Sequence, residues 1–201
     1  MAHAGFLASW AEIESPILAA VSSALASHPD YTITVTGHSL GGGVATLAAA
    51  SLRAAHGAAD LYTYGSPRVG NHSMVKYVMS LSGGNYRVTH AADPVPLLPP
   101  AILGYRHLSP EYWLVGDSMA PGYGPQDVKV CKGLLTRECN GGTHLEDIRT
   151  SDHSSYFQQV SACKSKQSFA SVGGLLGDLS VEDMAEAIKA DMGQAAEGVF
   201  G

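Results

Sequence analysis

The sequence predicts an α/β domain with a mostly parallel sheet and helices on both faces, and three observations predict it. Residues 31–36, YTITVT, alternate apolar and hydroxyl side chains in the manner of a strand. Residues 37–41 follow at once as Gly-His-Ser-Leu-Gly, and residues 42–56 read as a helix rich in Ala and Leu. The alternation of strand and helix then continues, with strand-like runs at 61–64 and 86–90 on either side of a helical run at 73–81. Strand followed by helix, repeated, packs as a parallel sheet covered by helices. In such sheets ligand chemistry belongs at the C-terminal ends of the strands.

Taken in order, residues 6–27 form the first expected helix, with Phe6, Trp10, Ile13, Ile17, Val21 and Leu25 three or four apart. Pro16 interrupts it, and Ser15 as a cap with Pro16 in a new first turn predicts a kink or a restart. His28-Pro29-Asp30 turns the chain into the strand before Ser39. The turn at Ser39 is tight enough that a side chain at Gly37 or Gly41 should collide with neighbouring backbone. Gly57 stops the next helix after His56. Asp60 is expected in the turn before LYTY at 61–64, and Gly83-Gly84 breaks the helix at 73–81. YRVTH at 86–90 is the next strand, followed by a Pro-rich loop to Pro100. Further strand pieces are expected at 111–115 and 128–131, and a short helix at 152–160. Ser180 with Asp183 resembles a capping box, and Met184, Ile188 and Met192 make one stripe, so a helix is expected over 180–192.

Composition narrows the class. The chain has 201 residues, 45% of them hydrophobic, enough for one cored domain. The formal net charge is −6 with no basic stripe, which argues against nucleic acid as a partner. No run reaches the length that spans a bilayer. Met1-Ala2-His3-Ala4-Gly5 lacks the basic-then-apolar pattern of a secretory leader. Cys131 and Cys139, eight apart in a polar segment, fit a small disulfide loop, and Cys163 is left over. Asn71-His72-Ser73 has the pattern of a glycosylation acceptor.

Gly37-His38-Ser39-Leu40-Gly41 is a G-x-S-x-G between a strand and a helix, the setting of a nucleophile elbow. The Ser39 hydroxyl would stand above the sheet edge, and the Leu40 N–H would point where an oxyanion forms. A serine hydroxyl is a weak nucleophile until a histidine takes its proton and a carboxylate fixes that histidine's tautomer. Asp93 follows a strand, at the right end of the sheet, whereas Asp60 precedes one and Asp117 and Asp127 lie among turns. With the acid between serine and histidine in chain order, His107, His144 and His153 remain as bases. His144 lies in a polar, aperiodic stretch. His153, in a late loop, is favoured over His107, which stands among aromatics; sequence order alone does not separate these two. His38 is pinned beside the nucleophile and His90 precedes the acid.

These residues together resemble the fungal class 3 lipases, secreted triacylglycerol lipases whose relatives include feruloyl esterases. The matching pieces are HAGFLASW at 3–10, HPDYTITVTGHSLGG at 28–42, YTYGSPRVGN at 62–71, YRVTHAADPVPLLPP at 86–100, YRHLSPEYWL at 105–114 and DHSSYF at 152–157. The resemblance covers about residues 3–163 and implies an α/β-hydrolase fold. It implies Ser39 as nucleophile, Asp93 as acid, His153 as general base and Leu40 as one backbone oxyanion donor. It places His107 in a recurring segment that is not catalytic. It implies carboxylic ester hydrolysis, an extracellular location, a lipid or other ester as substrate, and no metal or organic cofactor. Cys163 is similar to the family cysteine whose partner lies near the start of the mature protein. Family members carry, before the HAGFLASW-like segment, the first strands of the sheet, a helical lid and a second oxyanion donor after an R-G-S- or R-G-T-like sequence. The expectation is therefore a partial hydrolase domain over 1–163, followed by a linker and terminal helix over 164–201. Uncovered sheet edge would then invite self-association. One missing oxyanion donor would cost about 3 kcal/mol of transition-state stabilisation, so low activity is expected of the chain alone.

Overall fold

The computed structural model describes residues 1–160. Cys163 and the helix expected over 180–192 lie outside the described residues. The elements run in chain order α1 (Ala4–Ser27), β1 (Ile33–His38), α2 (Leu40–His56), β2 (Ala59–Tyr64), β3 (Gly70–Asn71), α3 (His72–Ser80), β4 (Asn85–His90), β5 (Tyr105–Arg106), β6 (Glu111–Leu114) and β7 (Val128–Cys131). Short 3-10 turns fill the loops between and after them.

Five strands form one sheet in the order β1-β2-β4-β6-β7. The first three pairings are parallel and β7 closes antiparallel on β6. The parallel strands therefore all end at one edge, where His38, Tyr64, His90 and Leu114 stand as their last residues. A separate antiparallel pair, β3 with β5, ties the segment after β2 to the segment before β6.

The small side chains of α2 let it lie close on the sheet. Ala45 and Ala49 pack with Leu61 of β2, Val75 and Val78 of α3, and Leu108. On its outer side α2 receives α1, whose Phe6 and Trp10 join Leu47, Ala48 and Val69 in a second cluster. A side chain on Gly43 would press into the Phe6 ring at 3.2 Å. Among the described residues the three α-helices gather on the side of the sheet that Val35 and Leu61 face, where helices on both faces were expected. The opposite side of the described sheet presents exposed Thr34 and Thr36 and the half-buried Tyr62 and Tyr86, which stack at 4.4 Å.

Four local expectations change. First, α1 does not restart at Ser15; it runs through Pro16 as one helix. Pro16 is exposed, so the carbonyl left without its N–H partner faces solvent and need not be stranded. Second, only Phe6 and Trp10 of α1 are buried, while Ile13 and Ile17 of the predicted stripe are exposed. Third, Asp60 lies within β2 rather than in a turn, and its carboxylate accepts from the Gly84 N–H at 2.7 Å. Fourth, the helix expected over 152–160 is a 3-10 turn, Thr150–Ser154. Beyond it the backbone donors do not follow a helix: Phe157 N–H goes to the distant Ser118 Oγ at 3.2 Å and Val160 N–H closes a loop on Ser154 O at 2.8 Å. Phe157 has φ +61, which no helix continues. The predicted disulfide between Cys131 and Cys139 is present and ties the end of β7 to the loop bearing Asn140.

Candidate active site

The site begins at Ser39. One residue separates the end of β1 from the start of α2, so the chain must reverse within it, and Ser39 takes φ 56, ψ −131. For a non-glycine residue this is a strained conformation, held by the strand before and the helix after. Gly37 is required as expected, since a Cβ there would stand 2.3 Å from Gly41 O. Gly41 is not: a Cβ on it meets nothing within 4 Å. The crowded partner is Gly42, whose added Cβ would lie 2.7 Å from Ser66 Cβ. The elbow is thus closed on itself where Gly37 meets the Gly41 backbone, and pressed against the segment after β2 at Gly42. Leu40 opens α2, so its N–H is among the donors with no intrahelical acceptor. It lies at the positive end of a 17-residue helix.

Asp93 stands just past the end of β4, fully buried. Its Oδ1 accepts the Val95 N–H at 2.9 Å, and its Oδ2 accepts the Tyr156 hydroxyl at 2.5 Å. His153, in the 3-10 turn, has Nδ1 at 2.9 Å from Asp93 Oδ2 and Nε2 at 2.8 Å from Ser39 Oγ. The carboxylate can only accept, so the imidazole proton belongs on Nδ1 and leaves Nε2 to accept from the Ser39 hydroxyl. Three residues distant in sequence thereby form one hydrogen-bonded series, hydroxyl to imidazole to carboxylate.

The other candidate bases lie outside this series. His107 has Nε2 at 2.7 Å from Pro96 O, and burial together with the charges of Arg87 and Arg68 holds it well below the ordinary histidine range. His144 is exposed, as expected of its polar stretch. His38 lies with its ring centroid 4.6 Å from that of His153, and burial lowers its pKa.

Some contributors were not singled out in the sequence. Tyr156 is buried, and burial beside Asp93 raises its phenol well above the usual range, which keeps it a donor. It stands three residues after His153, within the DHSSYF segment. Gly65, at the end of β2 with φ +56, leaves the room that the series occupies. A Cβ on it would lie 2.8 Å from Asp93 Oδ2, 2.8 Å from Tyr156 Oη and 3.0 Å from His153 Nδ1. Asn140 steadies the acid's backbone, donating from Nδ2 to Asp93 O at 2.9 Å and to Ala91 O at 3.3 Å. Its own N–H goes to Glu111 Oε1 at 3.2 Å, and Glu111 is paired with Arg87 at 2.8 Å in a buried cluster. Arg68, beside that cluster, is lowered to about 10 by burial and the neighbouring guanidiniums. Among the described residues no group of three or more His, Cys, Asp or Glu is placed to hold a metal.

Comparison with known proteins agrees with this architecture. The family model described as "Lipase (class 3)" matches residues 1–103. The chain is 52% identical over 161 residues to "Secreted mono- and diacylglycerol lipase 1" of Fusarium solani, covering 80% of this chain and 48% of that protein. It is 42% identical over 166 residues to "Secreted mono- and diacylglycerol lipase A" of Penicillium cyclopium, covering 82% and 54%. The chain thus spans about half the length of the curated relatives it matches. The solved structure of the mono- and diacylglycerol lipase from Aspergillus oryzae superposes with a TM-score of 0.73 at 36% identity, covering 79% of this chain and 60% of that one. The strand–elbow–helix geometry, the mostly parallel sheet and these likenesses agree: the chain has the α/β-hydrolase architecture and belongs to the class 3 lipase family.

Proposed function

We propose that this chain carries the catalytic centre of a carboxylic ester hydrolase of the lipase type, with Ser39 as nucleophile, His153 as general base and Asp93 as its acid. The observation that supports it most directly is the unbroken series from Ser39 Oγ through His153 to Asp93, with 2.8 and 2.9 Å contacts. In the proposed reaction Ser39 Oγ attacks the ester carbonyl as its proton passes to His153 Nε2. Asp93, already holding Nδ1, balances the imidazolium. The Leu40 N–H donates to the developing oxyanion at the positive end of α2. His153 then protonates the leaving alcohol, and water releases the acid by the reverse steps.

The proposed substrate is an acylglycerol. The sequence resemblance points to triacylglycerols, and the names of the Fusarium and Penicillium relatives add mono- and diacylglycerols. Those relatives are named as secreted, and the Cys131–Cys139 disulfide suits an oxidising compartment, so we place the protein outside the cell. No helix among the described residues is long and apolar enough to cross a membrane. The proposed catalytic domain extends to about residue 163, with 164–201 as linker and terminal helix. A second copy is the proposed partner of β1, which pairs only with β2 among the described residues and so presents a free backbone edge.

A panel of mono-, di- and triacylglycerols together with aryl esters tests this reading, with Ser39→Ala as control. Release of fatty acid from acylglycerols that the control abolishes is the expected result. Preference for aryl esters would overturn the substrate assignment. Folded protein without hydrolysis of any ester would overturn the activity itself.

A further inference from the structure

Two histidines outside the proposed catalytic series hold consecutive carbonyls of the turn that carries His153. His38 Nε2 lies 2.8 Å from His153 O. His90 Nδ1 lies 3.0 Å from Asp152 O, and its Nε2 lies 2.7 Å from Gly116 O. Carbonyls only accept, so the His38 ring donates from Nε2, and a His90 ring that serves both of its carbonyls donates from both nitrogens. The two rings come from different strands: His38 ends β1 and His90 ends β4.

The turn has little regular structure to hold it in place. It is a single 3-10 run, Thr150–Ser154. Apart from the His153 ring's own bonds to Asp93 and Ser39, its other ties to the sheet edge among the described residues are the Arg149 N–H on Ala92 O at 3.2 Å and the Ala92 N–H on Asp152 Oδ2 at 3.0 Å. Yet His153 must reach Ser39 and Asp93 at once, and displacement of a reacting group by about 1 Å can cost a hundredfold in rate. We propose that His38 and His90 are positioning residues for His153, each fastening one of the two carbonyls at and before it, so that the turn is pinned to the ends of β1 and β4. This rests on the catalytic reading of Ser39, Asp93 and His153.

Amide replacements distinguish a donor from mere bulk. A glutamine amide reaches about where a histidine Nε2 stands, and an asparagine amide about where Nδ1 stands. His38→Gln therefore keeps the donor to His153 O, whereas His38→Leu removes it. His90→Asn keeps the donor to Asp152 O, whereas His90→Gln keeps only the one to Gly116 O. The measurements are the rate of Ser39 labelling by a fluorophosphonate and amide hydrogen exchange over residues 149–155. Thermal melting is recorded to match variants of equal fold stability. We expect His38→Leu and His90→Gln to label about ten- to a hundredfold more slowly than the unaltered chain. Exchange over 149–155 should rise in both. His38→Gln and His90→Asn should recover most of each loss. Equal labelling rates for the donor-keeping and donor-lacking variants at either position would overturn the proposal there. Should the unaltered chain itself not label, the catalytic reading fails, and hydrogen exchange alone decides the fastening: faster exchange only in the donor-lacking variants supports it, and equal exchange overturns it.

Discussion

Gly65 takes no part in the hydrogen bonds between Ser39, His153 and Asp93, yet those bonds occupy the space where its side chain would be. Gly65→Ala puts a methyl group within 3.0 Å of Asp93, Tyr156 and His153 at a positive φ. It should lower turnover by about a hundredfold or more through misplacement of the proposed acid and base. A kcat measurement beside a melting curve checks this, with the loss of rate exceeding what the loss of stability explains. Tyr156→Phe deletes the hydroxyl on Asp93 Oδ2 and leaves a buried carboxylate one donor short. It should destabilise the fold by about 1.5–3 kcal/mol in urea unfolding, the usual worth of a hydrogen bond to a charged group. Asp93→Asn should cost about ten thousandfold in kcat, because an amide no longer enforces the tautomer with the proton on Nδ1. Of these residues Ser39 was legible because its setting is local: a strand, two flanking glycines and a helix within a few residues. Asp93 was legible from its place after a strand. A late loop favours His153 over His107 and the family resemblance completes that choice, because the His153–Asp93 bond spans 60 positions and leaves no local pattern. Tyr156 and Gly65 act through the same non-local meeting and carry no periodic signal of their own.

At the scale of elements, the sheet edge gathers the site because β1, β2 and β4 run parallel and stop together. The strands and α2 were readable from period and turn chemistry, with boundaries differing by a few residues. The segment after Ser154 was not: its polar run looked helical, but Ser118 and a buried Tyr156 claim it instead. Pro16 misled in the opposite direction, since exposure lets α1 continue through it. β6 is held to β4 by the buried pair of Arg87 and Glu111, and Glu111 also accepts from Thr89 at 2.6 Å and from the Asn140 N–H. Glu111→Ala should cost about 3–5 kcal/mol in chemical denaturation, because it leaves the Arg87 charge buried without its partner. Loss of the Asn140 contact should follow, with freer exchange of the amides around Asp93. The edge of β1, unpaired among the described residues, predicts a mass that rises with concentration in sedimentation velocity; a constant monomer over a wide range would remove the proposed second copy.

For the whole molecule, three half-buried histidines, His3, His38 and His107, set the response to acid. Burial holds His107 well below, and His38 and His3 below, the ordinary histidine value of 6.5. Just below that pH the unfolded chain therefore binds more protons than the folded one. Stability is full above the unfolded value and falls as pH drops towards the lowered folded values, by at most about 1.4 kcal/mol per pH unit for each proton. His107 should supply the largest share, since burial and the charges of Arg87 and Arg68 lower it furthest. Urea midpoints between about pH 5 and pH 8 should show this slope. His107→Gln, which keeps a donor for Pro96 O, should flatten it.

The central claim is that residues separated along this chain assemble Ser39 into an activated nucleophile. Peptide-level mass spectrometry of the 201-residue chain after fluorophosphonate treatment reads that directly, with Ser39→Ala and Asp93→Asn treated alongside. The account predicts a single adduct on Ser39, absent from Ser39→Ala and formed about a thousandfold or more slowly in Asp93→Asn. A folded sample that takes no label at Ser39, or labels there equally well without the Asp93 carboxylate, would contradict it.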